Sequence, residues 1–277
     1  MYPFTRMVID ADLWCYDIAF AAQGKDGLMP FSWVAGVIDT RLKELKENLC
    51  CEEFTMYLTG TGNFRSSIAT RDTYKANRGE RPRYYQPIRD YLVLQYGAII
   101  VDGMEADDAL SIELTSYGES VICVSRDKDL RQVPGWHYSY RVGKTPEFGP
   151  KYYDELGELE LIKKKTYTLK GGGLRFFYSQ VLTGDTTDNY KGAKGAGPVS
   201  AYKSLNDCDS HESLLREVLG IYWERYAEDG LKEFLEQANL AWMVRELYED
   251  KTPVLFSTKF SYTIDQIWYS IQEEFNG

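Results

Sequence analysis

Short apolar runs that close on an acid constrain this chain more than any other feature of it. "MVID" (7–10) ends at Asp10. "IIVDGMEADDALS" places Glu105, Asp107 and Asp108 directly after an apolar run at 99–101, and "SVICVSRDKDL" places Asp127 and Asp129 after another at 120–125. Each run reads as a short strand, as do "FTMYL" (54–58) and "WHYSYRV" (136–142). Between them lie helical patterns. Val34, Val37, Ile38, Leu42, Leu45 and Leu49 recur at helical spacing over 31–49, and 84–97 is helical with Pro87 near its start. Strands alternating with helices predict an α/β fold, a mostly parallel central sheet flanked by helices. Ligands of such sheets bind outside the carboxyl ends of the strands, where Asp10, Glu105 and Asp127 lie.

The remainder is organised differently. Residues 62–83 are polar and Arg-rich without apolar period, a loop or short helices. Residues 143–170 are charged and turn-rich, with room for a hairpin before the glycines at 171–173. Beyond them, 174–183, 199–205, 210–221 and 230–248 read as helices, with further segments near 253–256 and 261–275. The expected organisation is an α/β domain over 1–170 and a helical region over 171–277. Apolar residues make up 44% of the 277, enough for a substantial core. There is no 18-residue apolar run and no signal-peptide pattern at the start, so a soluble, intracellular chain is expected. Five cysteines without a CxxC are expected to be reduced thiols. His137 and His211 lie in no motif, which leaves them core or surface roles.

Acids at 105–108 have a plain structural explanation. In the first turn of a helix the unpaired N–H groups and the dipole stabilise each by ~0.3–1 kcal/mol. Ala109, Ile112 and Ala106 would then face the core. The pattern recurs too often for that alone, because "LTGDTTDN" adds Asp185 and Asp188. Glu105 and Asp108 are i,i+3, as are Asp185 and Asp188, and Asp127 and Asp129 are i,i+2. With no Cys or His nearby, hard oxygen donors point to Mg²⁺ or Mn²⁺ rather than zinc. Eight converging carboxylates would be costly without a cation. Two divalent ions ~3.5–4 Å apart would neutralise them and serve phosphodiester hydrolysis. With eight acids so committed, the formal charge of −10 falls to −2, and the field met by phosphate can be locally basic.

Two further elements suit nucleic acid. "LTGDTTDNYKGAKGAGPVSAYKSL" (182–205) joins two acids to a glycine turn, Gly192, Gly195 and Gly197, that would show backbone N–H groups to phosphate, with Lys191, Lys194 and Lys203 adding charge. In "NFRSSIATRDTYKANRGERPRYY" (63–85), Arg65, Arg71, Lys75, Arg78, Arg81 and Arg83 interleave with Phe64, Tyr74, Tyr84 and Tyr85, as in a segment that neutralises phosphates and stacks on bases.

The motifs "VIDAD", "YKANR", "GMEADDALS", "SRDKDLRQV" and "LTGDTTDNYKGAKGAGP", in this order over residues 7 to about 205, resemble the 5′-nuclease superfamily: flap endonucleases, the 5′-nuclease domains of bacterial DNA polymerases and bacteriophage 5′→3′ exonucleases. The compact size is most similar to the stand-alone phage type. The resemblance implies a Mg²⁺- or Mn²⁺-dependent 5′→3′ exonuclease or flap endonuclease, with a helix–three-turn–helix gripping duplex DNA with 5′ ends, nicks or flaps, or an RNA–DNA hybrid. It implies Asp10, Glu105 and Asp107 around the first metal and Asp107, Asp127, Asp129 and Asp188 around the second, with Asp108 and Asp185 further out. Lys75 and Arg78 would contact the scissile phosphate, and carbonyls of the 192–197 turn would bind K⁺. A monomer in the cytoplasm, the host's if the chain is viral, is expected, with no membrane partner. The pattern departs in one place, since "MYLTGTGNFR" has Thr59 and Gly60 where the family places another Asp, and water would fill that position. Lys75 and Glu105 are only 30 positions apart, so any arch over the site is short. Two other readings stand beside this one: a DNA-structure-binding module without catalysis, and a metal-dependent phosphatase, suggested by "DAD" at 10–12 but lacking the following Thr.

Overall fold

The structure is a computed structural model that describes residues 2–24, 27–76 and 79–276. The chain runs β1 (Arg6–Asp10), α1 (Ala11–Ala22), β2 (Gln23–Gly24), β3 (Gly27–Leu28), α2 (Phe31–Leu49), β4 (Glu53–Thr59) and α3 (Arg65–Ile68). It continues through α4 (Tyr85–Tyr96), β5 (Ile99–Val101), α5 (Ala106–Tyr117), β6 (Val121–Val124), β7 (Gly135–Ser139) and β8 (Phe148–Tyr153). Then come β9 (Glu158–Lys163), β10 (Tyr167–Gly172), α6 (Gly173–Thr183), α7 (Pro198–Leu205), α8 (His211–Tyr226), α9 (Gly230–Ala241), α10 (Phe256–Lys259) and α11 (Ser261–Asn276). Two compact units result: Met1–Asn63 with Gly79–Leu130 and Gly135–Tyr152, and Phe64–Arg78 with Arg131–Pro134 and Tyr153–Gly277. Where the sequence suggested a division near residue 170, the units part at Tyr152 and Tyr153, and the segment 64–78 goes with the helical unit.

The first unit carries a six-stranded sheet in the order β5-β4-β1-β6-β7-β8. β5, β4, β1, β6 and β7 are parallel, with Asp10 level with Tyr57 and Ile9 with Val124. Alternation along the strands sorts side chains between two faces. Met7, Ile9, Met56, Leu58, Ile122 and Val124 join a core with Trp14 and Ile18 of α1, Ile38 and Leu45 of α2 and Ile88 of α4. The intervening Tyr57 reaches the other face, where its hydroxyl donates to Glu113 of α5 at 2.5 Å. α5 buries Ala106, Ala109, Leu110 and Leu114, while Ile112, expected inward, is only half-buried. The parallel sheet with helices on both faces is as the sequence implied. α1 is an element the sequence reading left unassigned.

In the second unit α6 is apolar almost all round, with every residue from Gly173 to Leu182 except Arg175 buried, as a central helix must be. Leu214, Leu219 and Tyr222 of α8, Phe234 and Ala238 of α9 and Ile264 and Trp268 of α11 close around it. β9 and β10 form an antiparallel hairpin. α9 ends at Ala241, short of the 248 expected. The carbonyls of Leu240 and Trp242 accept from Arg65, at 3.2 and 2.6 Å, and Gln132 accepts from Met243 N–H and donates to Ala241 O. Side chains distant in sequence thus replace the next helical turn. All five cysteines are free thiols, and among the described residues no helix is long and apolar enough to cross a membrane.

Candidate active site

Because β1, β4, β5 and β6 run parallel, their carboxyl ends share one sheet edge, and the acids of the first unit gather there. Asp10 is the last residue of β1 and the N-cap of α1, its Oδ1 accepting from the N–H groups of Asp12 (3.1 Å) and Leu13 (3.4 Å). Its Oδ2 accepts from Ser125 Oγ at 2.8 Å, and that hydroxyl in turn accepts the N–H of Asp127 at 2.9 Å. Ser125 therefore couples the ends of β1 and β6. Asp127 Oδ1 accepts the N–H of Asp129 at 2.9 Å, and Arg126 fixes the loop by gripping both carboxylate oxygens of Asp17 on α1.

Glu105 and Asp108 realise the helix-cap explanation: Glu105 N–H donates to Asp108 Oδ2 at 3.1 Å, and Asp108 N–H donates to the backbone carbonyl of Glu105 at 3.1 Å. Asp108 has no exposure at all and Glu105 only 6%. Asp107 stands half-buried in the same first turn. Thr59, at the place where the family pattern has an acid, caps this helix instead, its Oγ1 accepting from Ala106 N–H at 2.9 Å.

The sequence reading missed a second layer. Asp12 Oδ1 pairs with Arg89 Nη1 at 2.9 Å, Asp12 Oδ2 accepts the N–H of Thr59 at 3.0 Å, and Arg89 Nη2 donates to Thr59 O at 2.7 Å. This arrangement ties α1, α4 and β4 together below the acids. A signal was present: Tyr85, Ile88, Arg89 and Leu92 share one helical stripe, and an arginine on an apolar stripe calls for a buried carboxylate.

Electrostatics at the acidic edge are those of crowded, buried carboxylates. Burial, then Asp12, then Asp127 push the Asp10 carboxyl up to about 7, although the Ser125 hydroxyl pulls it down. A nearby cation would relieve that strain. The donors are all carboxylate oxygens, which fits a hard divalent ion. As they stand, however, no three His, Cys, Asp or Glu side chains among the described residues lie close enough to form a metal centre.

In the second unit, Lys75 and Asp188, both singled out in the sequence, meet: Lys75 Nζ lies 3.4 Å from Asp188 Oδ1, and Lys75 N–H donates to Asp188 O at 3.1 Å. Tyr74 donates to Asp188 Oδ2 at 3.3 Å. Asp185 accepts the N–H groups of Thr187 (2.7 Å) and Asp188 (3.3 Å) and so shapes the loop. Lys75 holds φ +54, a left-handed backbone that a lysine adopts only where its surroundings require it.

No family model matches the chain. It is 30% identical over 197 residues to the flap endonuclease Xni of Colwellia psychrerythraea, covering 67% of this chain and 62% of that protein. It is 28% identical over 192 residues to DNA polymerase I of Chloroflexus aurantiacus, 66% of this chain and 19% of that one. A 5′-3′ exonuclease of Bacillus subtilis is 25% identical over 179 residues, 61% of this chain and 55% of that protein. The chain belongs to the 5′-nuclease superfamily. It spans less than two thirds of these relatives. A solved structure of the bacteriophage T5 D15 flap endonuclease with DNA and metal ions aligns over 97% of this chain and 98% of that one, at 14% identity and a TM-score of 0.49, a likeness too loose to assign any residue's role.

Within this superfamily frame several expected DNA contacts need correcting. Arg65 is 1% exposed and spends its guanidinium on the backbone carbonyls that end α9, so it cannot reach a phosphate. Arg71 pairs with Glu233 at 2.5 Å, although a third of its side chain stays exposed. Tyr74 is buried. Arg81 is exposed, over the Tyr85 ring at 4.7 Å. Lys191 reaches Asp72 at 2.8 Å from an exposed position. Arg78 lies outside the described residues.

The glycine turn was expected to show its N–H groups to phosphate, and most are spent internally. Gly192 is buried at φ +66 and donates to Gln237 Oε1 at 2.8 Å; a Cβ there would stand 2.4 Å from Leu182 O and Gly184 N. Lys194 N–H donates to Tyr226 Oη and Gly197 N–H to Ser200 Oγ. Lys194 O, a carbonyl proposed for K⁺, accepts from the Arg225 guanidinium, so a cation already faces it. Gly195, at φ +72, is exposed, as is the Lys194 side chain.

Proposed function

We propose that this chain is a divalent-metal-dependent 5′-nuclease that hydrolyses phosphodiester bonds of duplex DNA at 5′ ends, nicks or flaps, RNA–DNA hybrids included. The observation that carries the reading is the sheet edge of a 5′-nuclease superfamily chain, where β1, β5 and β6 each end beside acids and where burial, then Asp12, then Asp127 push the Asp10 carboxyl up to about 7. Asp10, Glu105, Asp107, Asp127 and Asp129 would hold Mg²⁺ or Mn²⁺, with Asp108 behind them and Asp185 and Asp188 included on their sequence motif alone. Bound metal would supply water activation and charge neutralisation at the phosphate.

The chain's own residues do the rest. Ser125 orients Asp10 while fixing the Asp127 backbone. The Asp12–Arg89 pair holds the ends of α1 and β4. Lys75, ion-paired to Asp188, is a point charge able to donate to a phosphate oxygen as negative charge develops there. The helix–three-turn–helix role of 173–205 and a monomeric, cytoplasmic protein remain parts of this proposal.

The test is digestion of 5′-labelled duplex, nicked and flap DNA with Mg²⁺ and with EDTA, reading product lengths. Short products released from the 5′ end with Mg²⁺ and none with EDTA are expected. Tight binding without cleavage in Mg²⁺ or Mn²⁺ would overturn the enzyme in favour of a DNA-structure-binding module.

A further inference from the structure

Between Glu160 and Asp185 the chain has no acid, yet it carries Lys163, Lys164, Lys165, Lys170 and Arg175, in a protein of net charge −10. Arg175 is consumed internally, donating to the carbonyls of Gly157 and Cys208. The lysines are not. Lys163, Lys164 and Lys165 stand exposed at the tip of the β9–β10 hairpin, where Lys164 N–H closes the turn onto Thr166 O at 3.1 Å. The hairpin's acids, Glu160 and Glu158, pair across from Lys170 and Gly172, several residues away from the tip. Three ammonium groups are thus held together by a two-stranded support, with no carboxylate among them.

The neighbourhood of the tip is concave. Thr166 and Tyr167 line a 580 Å³ cleft whose other walls are Gly195, Gly197, the start of α7 and Lys203. Tyr167 is 42% exposed, with Lys163 Nζ 5.7 Å from its ring centre. One side of this cleft is therefore the glycine turn with the positive end of a helix, and the other is Thr166 and Tyr167, which follow the three lysines directly in the chain. Nothing in the hairpin's packing requires such a cluster, because exposed like charges on adjacent residues repel one another.

We infer that the β9–β10 hairpin tip is a second phosphate-binding element, which grips the backbone of the same duplex beside the glycine turn and lengthens its footprint on this unit. The inference rests on the nucleic-acid reading above. The lysines meet phosphate alone, so they position the duplex without reading its sequence.

The test is duplex binding by fluorescence anisotropy, with Ca²⁺ replacing Mg²⁺, across a KCl series. The double variant Lys164→Ala/Lys165→Ala is compared with Lys164→Arg/Lys165→Arg and with Lys43→Ala on α2. Removing one lysine–phosphate pairing flattens the plot of log affinity against log salt by about 0.9, so the alanine pair is expected to flatten it by about 1.8. The arginine pair keeps the parent slope, and so does Lys43→Ala. Equal slopes and affinities for the parent and the alanine pair would overturn the hairpin's role while leaving the nuclease reading intact. A parent protein that binds no duplex at low salt would overturn both.

Discussion

The acidic edge of the first unit and the glycine turn of the second are built on opposite plans. At the acidic edge the proposed metal ligands are themselves structural: Asp10 caps α1, and Asp108 accepts the Glu105 N–H at the start of α5. In the turn the backbone is saturated by Gln237, Tyr226 and Ser200, and the groups left for a partner are the exposed side chains and Gly195. The difference teaches where each region can be changed. Removing Asp10 or Asp108 would disturb the proposed chemistry and a helix start together, whereas a turn lysine can be removed without touching what holds the turn.

The largest effect should come from Asp127→Ala. Its carboxylate neighbours Asp10 electrostatically, while its structural duty is a single hydrogen bond to Asp129 N–H. Cleavage should fall by on the order of 10³-fold or more, as for loss of a group acting mainly in the transition state. Duplex affinity in Ca²⁺ should be unchanged or higher, since one charge repelling phosphate is gone. Wild-type cleavage by this variant in Mg²⁺ would remove the acidic edge from the mechanism.

The turn's counterpart is Gly192→Val. The added Cβ meets backbone atoms at 2.4 Å and the residue sits at φ +66, so the unit should lose about 3 kcal/mol or more. Gly197→Ala, where a Cβ meets nothing within 4 Å, should melt as the parent does. Thermal unfolding of the two variants separates a glycine needed for the fold from one that is not. If both melt alike, Gly192 is not the pivot of the turn.

Asp10 gives the acidic edge a pH signature. Its carboxyl titrates at about 7 in the folded chain against 3.8 for the group unperturbed, so between those values the folded state holds a proton that the unfolded state has released. Stability of the metal-free protein should therefore fall as pH rises from 4 to 7 and level off above. Apparent Mg²⁺ affinity should climb over the same window, because the ion displaces that proton. Asp10→Asn should flatten the stability profile. A metal-free melting temperature that rises across this window, while Asp10→Asn leaves the profile unaltered, would show that the edge is not crowded in solution.

Much of this was legible in the sequence because it is local. Acids after apolar runs, helical periods and the order of strands need only neighbours in the chain to be read. What could not be read depends on distant partners. Arg65 looks like every other arginine in its segment until Leu240 and Trp242 turn their carbonyls toward it, and the same contacts end α9 at Ala241 where the apolar pattern continues. Helix α1 was unreadable for another reason: Ala11, Trp14, Cys15, Ile18, Ala19 and Ala22 are all buried, and with Phe20 and Leu13 between them no polar stripe marks the period. Asp12 and Arg89, 77 positions apart, carried a signal only as a pair.

Lys75→Ala should lower single-turnover cleavage by about 10²-fold with little change in duplex affinity, since its Nζ already has a protein partner in Asp188 and would be drawn to phosphate chiefly as charge develops there. Equal losses in rate and affinity would make Lys75 an anchor for substrate and shift it to the turn's side of the comparison.

The smallest effect sharpens that comparison most. Lys194→Ala removes an exposed charge but keeps the N–H that donates to Tyr226 and the carbonyl that accepts from Arg225. The turn should therefore keep its shape, and duplex affinity should lose about 0.9 from its salt slope, the share of one phosphate. Tyr226→Phe does the reverse: it removes the acceptor for Lys194 N–H at 2.8 Å and leaves every charge in place. Its affinity should drop at all salt concentrations with the slope unchanged. If instead both variants change the slope equally, the hydroxyl and the ammonium act as one, and the division between a saturated backbone and charged side chains in this turn is wrong.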